Sequence, residues 1–265
     1  MSTLKLRAEP PERIDLLNIN PLALSGLSET EAGRLAVGTS RKGVTLGDLF
    51  AIALDGSDQL RIEGGSSRFD RVGAALSEGT IHVEGDVGQR LGENMAGGAL
   101  SVTGSAGPYA AAGATGGTIT VEGDADERAG GAVYAAKAGL DGATLVIKGR
   151  AGAHLGDRMR RGLILVGEAG AFAGSRMIAG TILAEALGDH PGYGMRRGTI
   201  VAGRHGALLP TFTETGTPDL VFLRLLARSL TRLGAKQAEL LKGTMRRYSG
   251  DLAALGKGEL FTPAG

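Results

Sequence analysis

The chain has 265 residues, of which 46 are glycine, 8 are proline and none is cysteine or tryptophan; 42% are hydrophobic and the formal net charge is +1. So little proline excludes a collagen helix, and so much apolar content at so little charge excludes a disordered chain. The lack of cysteine removes disulfides, thiolate metal centres, iron–sulfur clusters and cysteine nucleophiles, and sets the expectation of a cytoplasmic protein.

Residues 1–57 are read as an N-terminal cap segment. The opening MSTLKLRAEP has no apolar signal core, and no run approaches the roughly 20 apolar residues of a membrane span, so no membrane association is expected. A short strand is predicted at Leu4-Lys5-Leu6, and a helix after Ser28, where Ser28 and Glu31 have the spacing of a capping box. Val44–Phe50 leads into the first repeat. The segment is expected to cover an open sheet edge that would otherwise template aggregation.

Residues 58–210 are repetitive. Copies begin near Leu60 and at Gly79, Gly98, Gly117, Ala143, Gly162, Gly180 and Gly198, each opening on an alternating apolar run such as Ile81 and Val83, Ile119 and Val121, or Leu145 and Ile147. From Gly79 on, successive anchors lie 19, 19, 26, 19, 18 and 18 residues apart, the long interval marking an insertion near Tyr134–Asp141. Period-two alternation predicts a strand in each copy, and the glycines that follow, as in Gly85, Gly88 and Gly92, predict bends. A unit of this length cannot bury its apolar side alone, so copies must stack. The expected fold is mainly β: a right-handed parallel β-helix of about eight coils, on the order of 35–40 Å long at ~4.8 Å per coil. Met95, Met159, Met177 and Met195 close their copies at one place and are read as gap-filling core. The structural rival is the left-handed helix of hexapeptide acyltransferases. That fold wants an aliphatic residue at every sixth position, and these copies carry a GxxGxxxG rhythm.

Residues 211–265 are read as a C-terminal helix and an interaction tail. The helix is predicted to start with Thr217 as N-cap and Pro218 in its first turn, and to stop at Gly234. Its apolar face needs cover from the solenoid or a partner, and Arg224, Arg228 and Arg232 share its other face. The glycine-punctuated tail beyond Tyr248 is expected to be an interaction arm.

No catalytic constellation stands out. The four histidines, at 82, 154, 190 and 205, form neither an HxH nor an HExxH pair, and no GxSxG elbow is present. Near-matches to a P-loop at 250–257 and to a dinucleotide fingerprint at 192–198 fail on spacing or context. Charge is unevenly spread: residues 55–95 sum to −4 and residues 146–205 to +5. Stacking would bring His154, Arg158, Arg160, Arg161, Arg176, Arg196 and Arg197 into a basic ridge. Such a ridge is either a solvated, partly self-paired surface or a site for a flexible polyanion. Nucleic acid is disfavoured, because aromatic stacking residues are scarce.

The GxxGxxxG coils, the GDLF at 47–50, the YSGD at 248–251 and the GKGEL at 256–260 resemble the C subunit of formylmethanofuran dehydrogenase over essentially the whole chain. Within that family the sequence is most similar to the branch found in the formyltransferase/hydrolase complex of methylotrophs. The repeat block alone also resembles the C-terminal domain of the glutamate synthase large subunit. The resemblance implies a non-catalytic structural subunit. Its partners would be the amidohydrolase-like A subunit, the B subunit, and the formyltransferase D subunit of the same complex. Together these would convert formyl-tetrahydromethanopterin to formate through a methanofuran-type (methylofuran) carrier. No covalently bound cofactor or metal is expected on this chain. The glutamyl tail of such a carrier makes the seven basic residues candidate contacts for it. Two other classes are weighed beside this one: a β-helix acyltransferase using His154 or His190, and a glutamate-synthase-type coupling domain.

Overall fold

The computed structural model describes residues 1–264. In chain order it contains β1 (Ser2–Leu6), β2 (Ile14–Asp15), α1 (Pro21–Leu24), α2 (Glu29–Gly33), α3 (Leu46–Leu49), β3 (Phe50–Ala53), β4 (Gln59–Glu63), β5 (Phe69–Asp70), β6 (Thr80–Glu84), β7 (Ala99–Val102) and β8 (Thr118–Val121). There follow β9 (Asp141–Ala151), β10 (Arg161–Ala169), β11 (Thr181–Leu187), β12 (Arg197–His205), β13 (Thr213–Glu214), α4 (Val221–Arg232), a 3₁₀ turn (Lys236–Leu241), β14 (Met245–Gly250) and β15 (Lys257–Pro263). Eight of these strands, one per repeat, pair in parallel in the order β4-β6-β7-β8-β9-β10-β11-β12, the ladder of a parallel β-helix.

Stacking the copies superimposes like on like. Leu60, Ile81, Leu100, Ile119, Leu145, Ile164, Ile182 and Ile200 form one inward ladder, and Ile62, Val83, Val102, Val121, Ile147, Val166, Ala184 and Ala202 a second. All are buried, as are Met95, Met159, Met177 and Met195. The seven extra residues in the interval between Gly117 and Ala143 form a loop over 132–140 and leave the ladder in register.

The bends carry the fold's particular backbone chemistry. In each repeat, residues two apart take a positive φ, as in Arg90, Gly92 and Asn94, in His154, Gly156 and Arg158, and in Phe172, Gly174 and Arg176. Their amides point alternately along the rod. The N–H groups of Arg90, His154 and Phe172 donate to Pro108, Ala171 and Asp189 of the next coil, whereas those of Gly92, Gly156 and Gly174 donate back to Val72, Ala129 and Leu155. A left-handed residue with a side chain costs about 1–2 kcal/mol, which the inter-coil bond offsets. The middle position has a second constraint. A Cβ on Gly92 would lie 2.6 Å from Ile119 Cδ1, and one on Gly174 2.7 Å from Ile200 Cδ1, both atoms of the inward ladder.

Both ends are closed. At the N-terminus β1 pairs in parallel with β4 and antiparallel with β3. Short helix α2 has both bonds of the capping box between Ser28 and Glu31. At the C-terminus the tail is a packed hairpin rather than a free arm: β15 adds in parallel to β12, and β14 pairs antiparallel with β15. The exposed edge of the last coil demands such a partner, and Leu260 and Phe261 are fully buried in meeting it. One atom-level detail completes the seal. The bend amides of Arg158 and Arg176 donate to carbonyls one coil on, but the equivalent Gly194 has no further coil, and its N–H donates to the buried carboxylate of Asp251 at 2.9 Å. Burial works against the charged form of Asp251, yet its bonds from Gly194 and Ala253 keep its pKa below the usual aspartate value.

Helix α4 begins at Val221, four residues after the expected cap, with Leu220 as N-cap and no side-chain cap bond. Burial of Leu223 and Leu230 on the sheet decides its register, and Thr217–Asp219 becomes an extended approach. Gly234, at φ +66°, ends it as expected. The outward strand positions explain where the helix lies. They run Arg61, His82, Ser101, Thr120, Val146, Leu165, Leu183, Val201, Phe261, polar over the early coils and apolar over the later ones. Leu165, Leu183, Val201 and Phe261 form a second core with Leu223, Leu230, Ala238 and Met245.

Replacing Gly174 with alanine is expected to cost about 2–4 kcal/mol in urea unfolding, from the left-handed φ and the clash with Ile200 together. Asp251→Ala, which orphans the Gly194 amide, is expected to cost about 2–3 kcal/mol, with Asp251→Asn recovering part of it. Because the folded pKa of Asp251 is depressed, its contribution is full above the ordinary aspartate range and is lost as pH falls through the folded value, a loss absent from Asp251→Asn.

Candidate functional site

The seven basic residues form two groups rather than one ridge. His154, Arg158 and Arg176 lie on the left-handed bends, and their side chains are spoken for. Arg176 makes a two-pronged bond to Asp157, Nε–Oδ1 2.9 Å and Nη2–Oδ2 2.6 Å, and Asp157 also accepts from the Ser175 hydroxyl at 2.9 Å and faces Arg128 at 3.4 Å. Asp157 is only 1% exposed, so this is a buried carboxylate neutralised in place. Arg158 donates to the Ala136 carbonyl at 3.0 Å, tying the inserted loop to its bend. The expectation that Arg176 joins the other arginines fails because the strand register puts Ile178 and Ala179 at their level.

The His154 ring stacks on Phe172 at 5.2 Å, and Phe172 meets His190 at 5.5 Å. Burial, helped by Arg128, lowers the His154 pKa. Its Nδ1 lies 3.4 Å from the Ser175 hydroxyl, but that hydroxyl is donated to Asp157, so the serine is held by the acid and not by the histidine. This order cannot activate a nucleophile. Nδ1 of His190 is buried without a hydrogen-bond partner, so nothing orients it as a base. Among the described residues no group of acids and histidines could hold a metal.

The other four arginines converge. Arg160, Arg161, Arg196 and Arg197 line an open groove of about 400 Å³ with Ile178, Ala179 and Leu255. The two pairs stand two coils apart, about 10 Å, with the small Ile178–Ala179 step as the floor between them. Asp141 bonds Arg161 at 2.8 Å and Arg160 at 3.4 Å; the Arg161 bond in particular pulls its pKa below the usual aspartate value. Arg196 and Arg197 have no carboxylate partner among the described residues, and Lys257 stacks in register beside Arg197. Sequence reading missed Lys257 and Leu255, since the tail lies outside the repeat register that aligned the rest. A larger open groove of about 610 Å³ crosses the earlier coils, but its Asp86 and Asp124 are spent on the backbone amides of Ser105 and Arg150.

These features define a class: a parallel β-helix with capped ends and a cationic groove on its later coils. No family model matches the chain. It is 79% identical, over the full length of both chains, to the C subunit of the formyltransferase/hydrolase complex Fhc of Methylorubrum extorquens strain AM1. It also matches, at 79% identity and a TM-score of 0.98, a chain in the crystal structure of the FhcABCD complex from Methylorubrum extorquens with methylofuran, covering 99% of this chain and all of that one. The chain therefore belongs to the family of formyltransferase/hydrolase complex C subunits. The acyltransferase and glutamate-synthase readings find no support.

The His154 ring is expected to titrate below 6.5 by NMR. Its neutral form is favoured by folding, so its share of stability is present above that value and falls away as pH drops toward the folded pKa.

Proposed function

We propose that this chain is the non-catalytic structural subunit of a cytoplasmic formyltransferase/hydrolase complex. In that complex it assembles with the amidohydrolase-like A subunit, the B subunit, and the formyltransferase D subunit. The complex would take a formyl group from formyl-tetrahydromethanopterin, pass it to a methanofuran-type carrier and release it as formate. The observation that carries this reading is 79% identity over the full length to a C subunit, on a chain whose Ser175 hydroxyl is donated to Asp157 and not to His154.

The carrier's glutamyl tail is assigned to the groove of Arg160, Arg161, Arg196 and Arg197. Four guanidinium groups face one carboxylate there, and planar forks suit a chain of carboxylates in pairs. The 10 Å step between the pairs is a few residues of an extended peptide. Multiple weak contacts of this sort retain a tail while its formyl-bearing end stays mobile. His154, Arg158 and Arg176 are left out of this assignment, because their bonds within the chain already use them.

Purified gently and weighed intact, the chain should appear in a stoichiometric hetero-oligomer with the other three subunits; a lone 26.9 kDa chain or homotrimer would overturn the reading. In that assembly, replacing all four groove arginines with alanine should leave its mass unchanged. It should weaken carrier retention by about tenfold or more and flatten its salt dependence. Unchanged retention and salt response would remove the groove from the assignment.

A further inference from the structure

The seven-residue insertion is the one break in the spacing of the later repeats, and it presents an aromatic side chain with nothing on it. Tyr134 is 98% exposed, the most exposed of the chain's large hydrophobic side chains among the described residues. The loop that carries it is not slack. Leu140 N–H donates to Gly130, Ala132 N–H to Asp157, Gly139 N–H to Arg158 and Ala136 N–H to Val133, while Arg158 clamps the Ala136 carbonyl from the bend below. Holding a loop in this way costs ordering entropy, and here no packing is gained for the tyrosine it presents. On the equivalent bend three coils on, about 14 Å away by coil spacing, Tyr193 is 50% exposed. Arg158 and Arg176 stand between the two, and Lys137 is exposed on the loop. Tyrosine on a rigid projection is among the residue types that dominate binding energy at protein interfaces.

We propose that the Tyr134 loop is a docking anchor, with Tyr134 entering an apolar pocket, rimmed by carboxylates, on a different subunit of the assembly. A second copy of this chain is the poorer occupant, because a two-fold contact would set Lys137 and Arg158 against themselves. The inference rests on the assembly reading above and adds to it a named contact, on a loop whose far end, Leu140, accepts from the Arg160 amide at the arginine groove.

The test is nitration of the intact assembly with tetranitromethane, read residue by residue at Tyr109, Tyr134, Tyr193 and Tyr248 against the urea-unfolded protein. Tyr134 should react at least about tenfold more slowly in the assembly than unfolded. Tyr134→Ala should weaken subunit retention on dilution by about 30-fold, the effect of a central interface residue, with Tyr134→Phe restoring it. Because this side chain packs on nothing within the chain, the substitution leaves its own fold intact. An intact assembly in which Tyr134 nitrates as fast as in the unfolded protein overturns the anchor and leaves the assembly standing. Protection of Tyr134 in a homo-oligomer that lacks the other subunits overturns both.

Discussion

Every coil in this protein depends on its neighbours for the hydrogen bonds of its bends. The amides there point alternately forward and back along the rod, which requires alternate residues in the left-handed region. Much of the glycine in the composition follows from that requirement. At the middle bend position the demand is doubled in most coils, since an inward isoleucine or leucine two coils on fills the space a side chain would take, and in one coil only the small Ala111 stands there. At the flanking positions a side chain points away from the core, so arginine, histidine, phenylalanine and asparagine are tolerated there at a local cost.

That freedom at the flanking positions is what decorates the rod. Its side chains stack at coil spacing, and what they do depends on their neighbours in the stack. Where an acid is buried among them, as at Asp157, the cations are consumed in holding the bend. Where the register supplies only Ile178 and Ala179 between two arginine pairs, the charge stays available. The outward sheet face is divided by the same logic: the early coils solvate it with Arg61, His82, Ser101 and Thr120, and the later coils roof it with helix α4.

Much of this is legible in the residues because a repeat is its own alignment. The anchors from Gly79 to Gly198 locate the strands, and the inward ladders of Ile, Val and Leu stand where their period puts them. Outside the repeat the sequence offers no such register. Thr217 and Pro218 have the chemistry of a helix start, yet burial of Leu223 moves the start to Val221. The glycines near Gly250 and Gly256 suggest a loose arm, whereas the unpaired edge of β12 recruits that segment into a hairpin. Arg176 parts from the groove arginines for a related reason: its place in the bend, two residues before the strand approach, is invisible without knowing which amides the bend exposes. The family resemblance supplies partners and chemistry that no ladder contains.

The carboxylate of Asp251 stands where the carbonyl of a ninth coil would be, and β3 and β14 run against the direction of the stack. Neither end therefore presents a face that another coil could copy. Repeats gained or lost by duplication can enter only between existing coils, where both neighbours are ready to receive them. The ends are fixed points, so the length of the rod can change only by whole coils added or removed between them.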